Sequence, residues 1–158
     1  MLRAAASHRG AALVEIYQNC NIYNDGAFVT LQNVTTREDA TLRLEHGTPL
    51  RYGRDGKSGI IRGPDGGLRV AQTAEIGEEQ LLIHDTHADN PELAFALSRL
   101  PSSNGAAPTG PTPIGVFRDV DRPSYDELMN AQLDTATSTQ GPGNLTDLLT
   151  GPDTWIVT

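Results

Sequence analysis

The sequence predicts an α/β chain. The end of a parallel-sheet domain, residues 1–35, is followed by a small α+β region, residues 36–158. Three observations lead there. Residues 2–7 (Leu-Arg-Ala-Ala-Ala-Ser) have high helix propensity, and Gly10 stands where a helix ends on a left-handed glycine. Residues 11–17 then form a nearly continuous apolar run, the pattern of a strand buried on both faces of a parallel sheet. Farther on, Asp55-Gly56 and Asp65-Gly66 separate short strand-like pieces, as hairpin turns do.

The remaining elements follow in order. Thr36-Arg37-Glu38-Asp39 reads as a capped helical turn, with Thr36 as N-cap and Asp39 at the third helical position. Residues 50–52, 59–62 and 68–70 are the strand pieces around the two Asp-Gly turns, and residues 81–83 are a further apolar piece. Residues 90–100 predict a helix: Asn90 caps it, Pro91 opens it, and Leu93, Leu97 and Leu100 follow helical spacing. Residues 101–112 are a low-complexity flexible loop without packing side chains. Residues 113–120 predict a strand. Residues 123–136 predict a helix, with Ser124 and Glu127 forming a capping box and Tyr125, Leu128, Met129 and Leu133 a modest apolar face. A second flexible loop is expected at 137–143, then a short helix over 144–149 and a terminal Trp155-Ile156-Val157.

Composition bounds the function. The hydrophobic set is 37%, and with 16 glycines the apolar content reaches the globular range. Net charge is −8, with one lysine and scattered arginines, which argues against a duplex nucleic-acid surface. No apolar run approaches the ~20 residues of a membrane span. No charged region followed by a short apolar one marks a signal peptide. One cysteine excludes an internal disulfide framework and fits a reducing cytosol, so a cytoplasmic location is expected.

Chemistry concentrates at the carboxyl end of the first apolar run. Ligands of parallel sheets gather beyond the carboxyl ends of the strands. Here that position holds Gln18-Asn19-Cys20-Asn21-Ile22-Tyr23-Asn24-Asp25-Gly26: amides, a thiol, an acid and a glycine. On spacing alone Cys20 reads as a packing thiol, since free cysteine is often buried and a cluster normally takes four thiolates. Asn24-Asp25-Gly26 reads equally as a plain turn.

The run Val14-Glu15-Ile16-Tyr17-Gln18-Asn19-Cys20-Asn21-Ile22-Tyr23-Asn24-Asp25 resembles the β-subunits of 2-oxoacid:ferredoxin oxidoreductases, especially the 2-oxoglutarate type. Three further blocks resemble the same subunits in the same order: Leu44-Glu45-His46-Gly47-Thr48-Pro49-Leu50-Arg51-Tyr52-Gly53, Leu93-Ala94-Phe95-Ala96-Leu97-Ser98-Arg99-Leu100, and Thr112-Pro113-Ile114-Gly115-Val116-Phe117-Arg118. The resemblance implies that residues 1–35 end a thiamine-diphosphate-binding α/β domain. It implies oxidative decarboxylation of 2-oxoglutarate to succinyl-CoA, with electrons leaving through a [4Fe-4S] cluster to ferredoxin. The implied partners are the α-subunit, ferredoxin, the 2-oxoacid and coenzyme A, and the implied cofactors are thiamine diphosphate, Mg2+ and the cluster. Cys20 matches the last of the cluster ligands. Asn19 and Asn24 are placed by the same likeness near cofactor or cluster, where amides tune a potential or orient a loop.

The chain departs from the family pattern in lacking Gly-Asp-Gly, the element that holds magnesium and diphosphate, and the other three cluster cysteines. It therefore resembles a carboxyl-terminal half, expected to be inactive alone. Two other readings stand beside this one. One is a non-enzymatic subunit-interaction module. The other is a small metal-dependent hydrolase using His84 and His87, since His84-Asp85-Thr86-His87 offers nitrogen and carboxylate ligands in a short span. The bland reading of that tetrad is a polar turn after a strand, and of Glu45-His46-Gly47 an element end.

Overall fold

The computed structural model describes residues 1–100, 110–153, 155 and 157. Residues 101–109 of the loop expected over 101–112, and parts of the terminal segment, lie outside the described residues. The chain divides into two compact units: Met1–His8 with Ala12–Asp121, and Arg9–Ala11 with Arg122–Thr158.

The first unit has mixed α/β content. Helix α1 (Leu2–Ser7) forms as its alanines predict, but it ends on His8, in extended conformation, ahead of Gly10. Single turns α2 (Val29–Gln32) and α3 (Arg37–Ala40) precede strand β1 (Thr41–Leu44). Thr36 sits at the N-cap of α3, yet its hydroxyl donates to the Thr30 carbonyl at 2.8 Å instead of capping.

Strand β2 (Arg51–Tyr52), strand β3 (Ser58–Arg62) and strand β4 (Leu68–Gln72) form an antiparallel sheet in that order. Both Asp-Gly turns fall where hairpin chemistry places them. Asp55 and Gly56 take left-handed backbone angles between β2 and β3, and Gly66 does so between β3 and β4. Single turn α4 (Thr73–Ile76) follows β4. Residues 81–83 add no strand. They rest against the sheet through Leu50 N–H to the Leu82 carbonyl and Leu82 N–H to the Ile60 carbonyl.

Helix α5 (Glu92–Ser98) begins with the Asn90 carboxamide accepting from the Glu92 N–H at 2.9 Å. Strand β5 (Thr112–Gly115) pairs in parallel with β1, Leu42 opposite Pro113 and Leu44 opposite Gly115. It is shorter than the expected 113–120. The core lies between the sheets and α5: Leu42, Leu44, Leu50, Ile60 and Leu97 are buried together, with Leu93 and Leu100 packed at their margin.

The strand expected over 11–17 does not form. Those residues belong to no strand, and Leu13 and Ile16 are 97% and 71% exposed. A buried parallel strand requires neighbours for its backbone and both side-chain faces. The parallel pairing present here is between β1 and β5.

The second unit carries helix α6 (Tyr125–Gln140) and helix α7 (Leu145–Thr150). The capping box forms as predicted: the Ser124 hydroxyl accepts from the Glu127 N–H, and the Glu127 carboxylate from the Ser124 N–H. Residues 137–140, expected in a flexible loop, are helical. Ser138 and Thr139 return their hydroxyls to carbonyls of the previous turn at 2.7 and 2.9 Å. Gly141, at positive φ, stops the helix. Asn144 caps α7 by accepting from the Thr146 N–H.

Candidate functional site

Residues 17–28 close into a loop by three concentric pairs. Outermost, the Tyr17 and Phe28 rings stack with centroids 5.0 Å apart and planes 6° from parallel. Burial in that stack, with the nearby Glu15 charge, raises the Tyr17 hydroxyl's pKa. Next, the Asn19 side chain bridges the loop: its amide donates to the Asp25 carboxylate and its carbonyl accepts from the Gly26 N–H, both at 2.9 Å. Innermost, the Asn24 N–H donates to the Cys20 carbonyl at 3.0 Å, and the two residues form an isolated antiparallel bridge. Gly26 takes φ +73° where the chain leaves the turn, so glycine is the residue that fits there.

The N–H groups of Tyr23, then Ile22, with a smaller part from Asn24, hold the Cys20 thiol below its ordinary pKa against the opposing effect of desolvation. The thiolate is the form of cysteine that binds metals and clusters. Cys20 is partly exposed, and Ile22 and Tyr23 at the loop tip are exposed. Of the sequence-predicted site residues, Cys20 is the thiol the turn presents, and Asn19 is the residue that closes the turn. The Asn24 side chain is exposed, while its backbone does the bridging.

The chain's four histidines form a second constellation. His84 is 1% exposed and donates from Nε2 to the Val116 carbonyl at 2.8 Å, and its Nδ1 is buried without a hydrogen-bond partner. His87 Nδ1 donates to the Asp119 carbonyl at 2.6 Å. The His46 ring lies 4.7 Å from that of His87, and its Nδ1 accepts from the Thr86 N–H at 3.3 Å. His8 Nδ1 meets the Asp119 carboxylate at 2.9 Å.

These bonds tie α1, the segment after β5 and the tetrad turn to one another. They do not bring His84 and His87 to a shared metal position. Among the described residues no three His, Cys, Asp or Glu side chains converge on one. The hydrolase expectation is corrected accordingly: His84 is spent on the core side of the turn and His87 on a backbone carbonyl. Sequence reasoning missed His8 and Asp119, which lie 111 residues apart and share no local signal.

The chain is 41% identical to 2-oxoglutarate oxidoreductase subunit KorB of Mycobacterium tuberculosis, along an alignment of 159 residues. That alignment takes in 99% of this chain and 41% of the relative, so the chain spans about two-fifths of the curated relative it matches. No protein-family model matches it, and no solved structure does. Among the described residues no helix is long and apolar enough to cross a membrane. With 41% of aligned residues identical along nearly its whole length, this chain is similar to the stretch of KorB, about two-fifths of that protein, that it spans.

Proposed function

We propose that this chain is part of the β-subunit of a 2-oxoglutarate:ferredoxin oxidoreductase, in which Cys20 contributes one ligand to a [4Fe-4S] cluster. The single observation that carries the reading is the 41% identity along 99% of the chain. The donor set at Cys20 supports it. A [4Fe-4S] cluster supplies one-electron transfer, with a potential that depends on hydrogen bonds to its sulfurs. In this chain the Tyr23, Ile22 and Asn24 N–H groups favour the thiolate. Asn19 holds the turn closed, and the Tyr17–Phe28 stack fixes the two ends of the loop. Asn24, whose side chain is exposed in the same turn, is the further residue we assign to contact with the cluster or cofactor.

Thiamine diphosphate with Mg2+ is a different case. Among the described residues no carboxylate cluster suited to the metal is present, and both polar ends of the Asn19 side chain are engaged inside its own loop. No step of the decarboxylation is therefore assigned to these residues. The α-subunit, ferredoxin and coenzyme A enter the proposal as partners of the complete enzyme, in the cytoplasm, and the chain alone is inactive.

The test is a chimera in which this chain replaces its matching stretch of the M. tuberculosis relative, co-expressed with the partner subunit. We expect 2-oxoglutarate- and coenzyme A-dependent reduction of a viologen dye, together with the electron paramagnetic resonance signal of a reduced cluster. Cys20→Ser in the chimera should abolish that signal. A full iron complement and an unchanged signal in the variant would refute the role of Cys20. Dye reduction by the isolated chain, given thiamine diphosphate and Mg2+, would refute inactivity alone.

A further inference from the structure

His46 and His87 meet at the surface of the first unit, and the proposed cluster chemistry uses neither. Their ring centroids are 4.7 Å apart, with the planes tilted by 54°. Backbone bonds stitch together the segments that carry them. The Gly47 N–H donates to the His84 carbonyl at 2.8 Å, the His84 N–H to the Thr48 carbonyl at 3.0 Å, and the Asp119 N–H to the Thr86 carbonyl at 2.7 Å. His84 and Thr86 are buried, so the turn that carries His87 is anchored inward while both paired imidazoles stay exposed.

Each ring has its Nδ1 backed by oxygen. His87 Nδ1 donates to the Asp119 carbonyl at 2.6 Å, which fixes the tautomer and leaves Nε2 with its lone pair. His46 Nδ1 lies 3.5 Å from the Asp85 carboxylate and 3.2 Å from the Thr86 hydroxyl. Coordination at His46 Nε2 moves the ring proton to Nδ1, where those oxygens accept it and the 3.3 Å contact from the Thr86 N–H is given up. Imidazoles whose second nitrogen donates to a carboxylate or a backbone carbonyl are the outer-shell arrangement of metal ligands. Neither Nε2 takes part in a hydrogen bond or ion pair among the described residues. The spacing also suits one ion. A Zn–N bond of about 2.0–2.1 Å places each ring centroid about 3.2 Å from the metal, and rings sharing it at about 90–110° have centroids about 4.5–5.2 Å apart. The Asp85 carboxylate beside the pair favours a cation, and Arg118 spends its guanidinium on the Ala88 and Asp89 carbonyls. We propose that His46 and His87 form a two-imidazole site for a late first-row divalent cation such as Zn2+, bound through both Nε2 atoms with water in the remaining positions. Among the described residues no third His, Cys, Asp or Glu joins them, so the ion is exchangeable and folding does not require it. The site excludes the buried His84 and does not depend on what Cys20 binds.

The experiment titrates Zn2+ into the full chain carrying Cys20→Ser, which removes the thiol as a competing ligand, and reads binding by isothermal titration calorimetry. A single equivalent should bind. His46→Ala and His87→Ala should each weaken binding at least tenfold. His8→Ala, which removes a histidine bonded to the Asp119 carboxylate but outside the pair, should leave it unchanged. Because both paired rings are exposed, the far-ultraviolet circular dichroism of the two variants should remain that of the parent. Zn2+ should raise the melting temperature of the parent and of neither variant, since an ion that binds only the folded chain stabilises it. In the parent itself, nitrogen resonances of the imidazoles should shift at Nε2 of His46 and His87 and stay in place for His84, a readout that needs no substitution in the pair. Absence of binding, unchanged affinity in either His46→Ala or His87→Ala, or a shift confined to one of the two rings would each overturn the proposal. With the thiol absent throughout, none of these results bears on the cluster reading of Cys20.

Discussion

Replacing Asn19 by Ala should unlatch the loop that presents Cys20 without unfolding the first unit. The variant removes two hydrogen bonds, to Asp25 and to the Gly26 N–H, both 2.9 Å long. Each is worth about 0.5–1.5 kcal/mol net, and the exposure of the site places both near the lower end, so the loop loses about 1–2 kcal/mol. A loss of that size raises the open population roughly 5- to 30-fold. The core residues Leu42, Leu50, Ile60 and Leu97 are not in this loop, so the global urea midpoint should move little. The readout is the pH dependence of Cys20 alkylation. In the parent chain the N–H groups of Tyr23, Ile22 and Asn24 lower the thiol pKa, so the thiolate persists to lower pH than in an ordinary cysteine. In the variant the alkylation profile should shift toward higher pH, and amide exchange at 22–24 should accelerate. The sign of linkage follows. A depressed thiol pKa stabilises the closed loop fully above the ordinary thiol pKa, and that contribution fades as pH falls through the lowered value. Superimposable alkylation profiles for parent and variant would refute the claim that Asn19 positions the donors.

Four other substitutions test the fold outside this loop. Leu97→Ala should cost about 3–4 kcal/mol, because Leu97 is fully buried against Leu42, Leu50 and Ile60 and the cavity adds to the lost transfer energy. Phe95→Ala on the same helix, 68% exposed, should cost less than about 0.5 kcal/mol, and equal urea midpoints for the pair would contradict the assigned core. Gly115→Ala should destabilise the β1–β5 pairing by more than about 2 kcal/mol, since the new Cβ would run into the Leu44 carbonyl oxygen and sit 2.8 Å from the Leu44 Cβ; a neutral melting temperature would show that the parallel pair is looser than described. Ser124→Ala should cost about 1 kcal/mol of α6 stability, seen as lost ellipticity at 222 nm because a 16-residue helix is near the length at which isolated helices are marginal.

What the sequence disclosed was mostly what short-range chemistry decides. The Asp-Gly turns, the Ser124 cap and the packing of Leu93 and Leu97 all act within one or two turns of chain and stand where expected, whereas α5 begins one position later than expected, with Pro91 rather than Asn90 at the N-cap, and ends before Leu100. The alternation Thr41-Leu42-Arg43-Leu44 was equally local and went unread: it is β1, with Leu42 and Leu44 inward and Arg43 exposed. Its parallel partner β5 begins at Thr112, and nothing near either strand encodes a pairing across that span. The Ser and Thr residues ending α6 misled in the other direction. Their low propensity suggests a loop, but their hydroxyls fold back on the helix's own carbonyls. Residues 11–17 show the limit of pattern reading. Apolarity marks a segment that seeks burial, and the neighbours that would bury it are a separate requirement, unmet within the described residues.

That contrast bears on how the candidate site would be completed. Every interaction shaping the Cys20 loop joins residues within 11 positions of each other, from the Tyr17–Phe28 stack inward. Such a loop forms without help from distant parts of the fold, because short closures carry little entropic cost. The exposed run before it, with Leu13 and Ile16 open to solvent, behaves oppositely, since its burial can come only from segments distant in sequence. On the cluster reading, a single thiol is therefore already presented by a closed loop before the remaining ligands arrive. Preorganisation of that kind lowers the ordering cost of assembly. On the proposed β-subunit reading, mutations in residues 11–17 should impair assembly of the chimeric β-subunit with its partner while leaving the Cys20 alkylation profile unchanged, whereas Asn19→Ala should alter the profile while leaving assembly intact. A mutation in either segment that changed both readouts together would mean that strand and loop form as one unit, and the independence argued from the short-range bonds would fail.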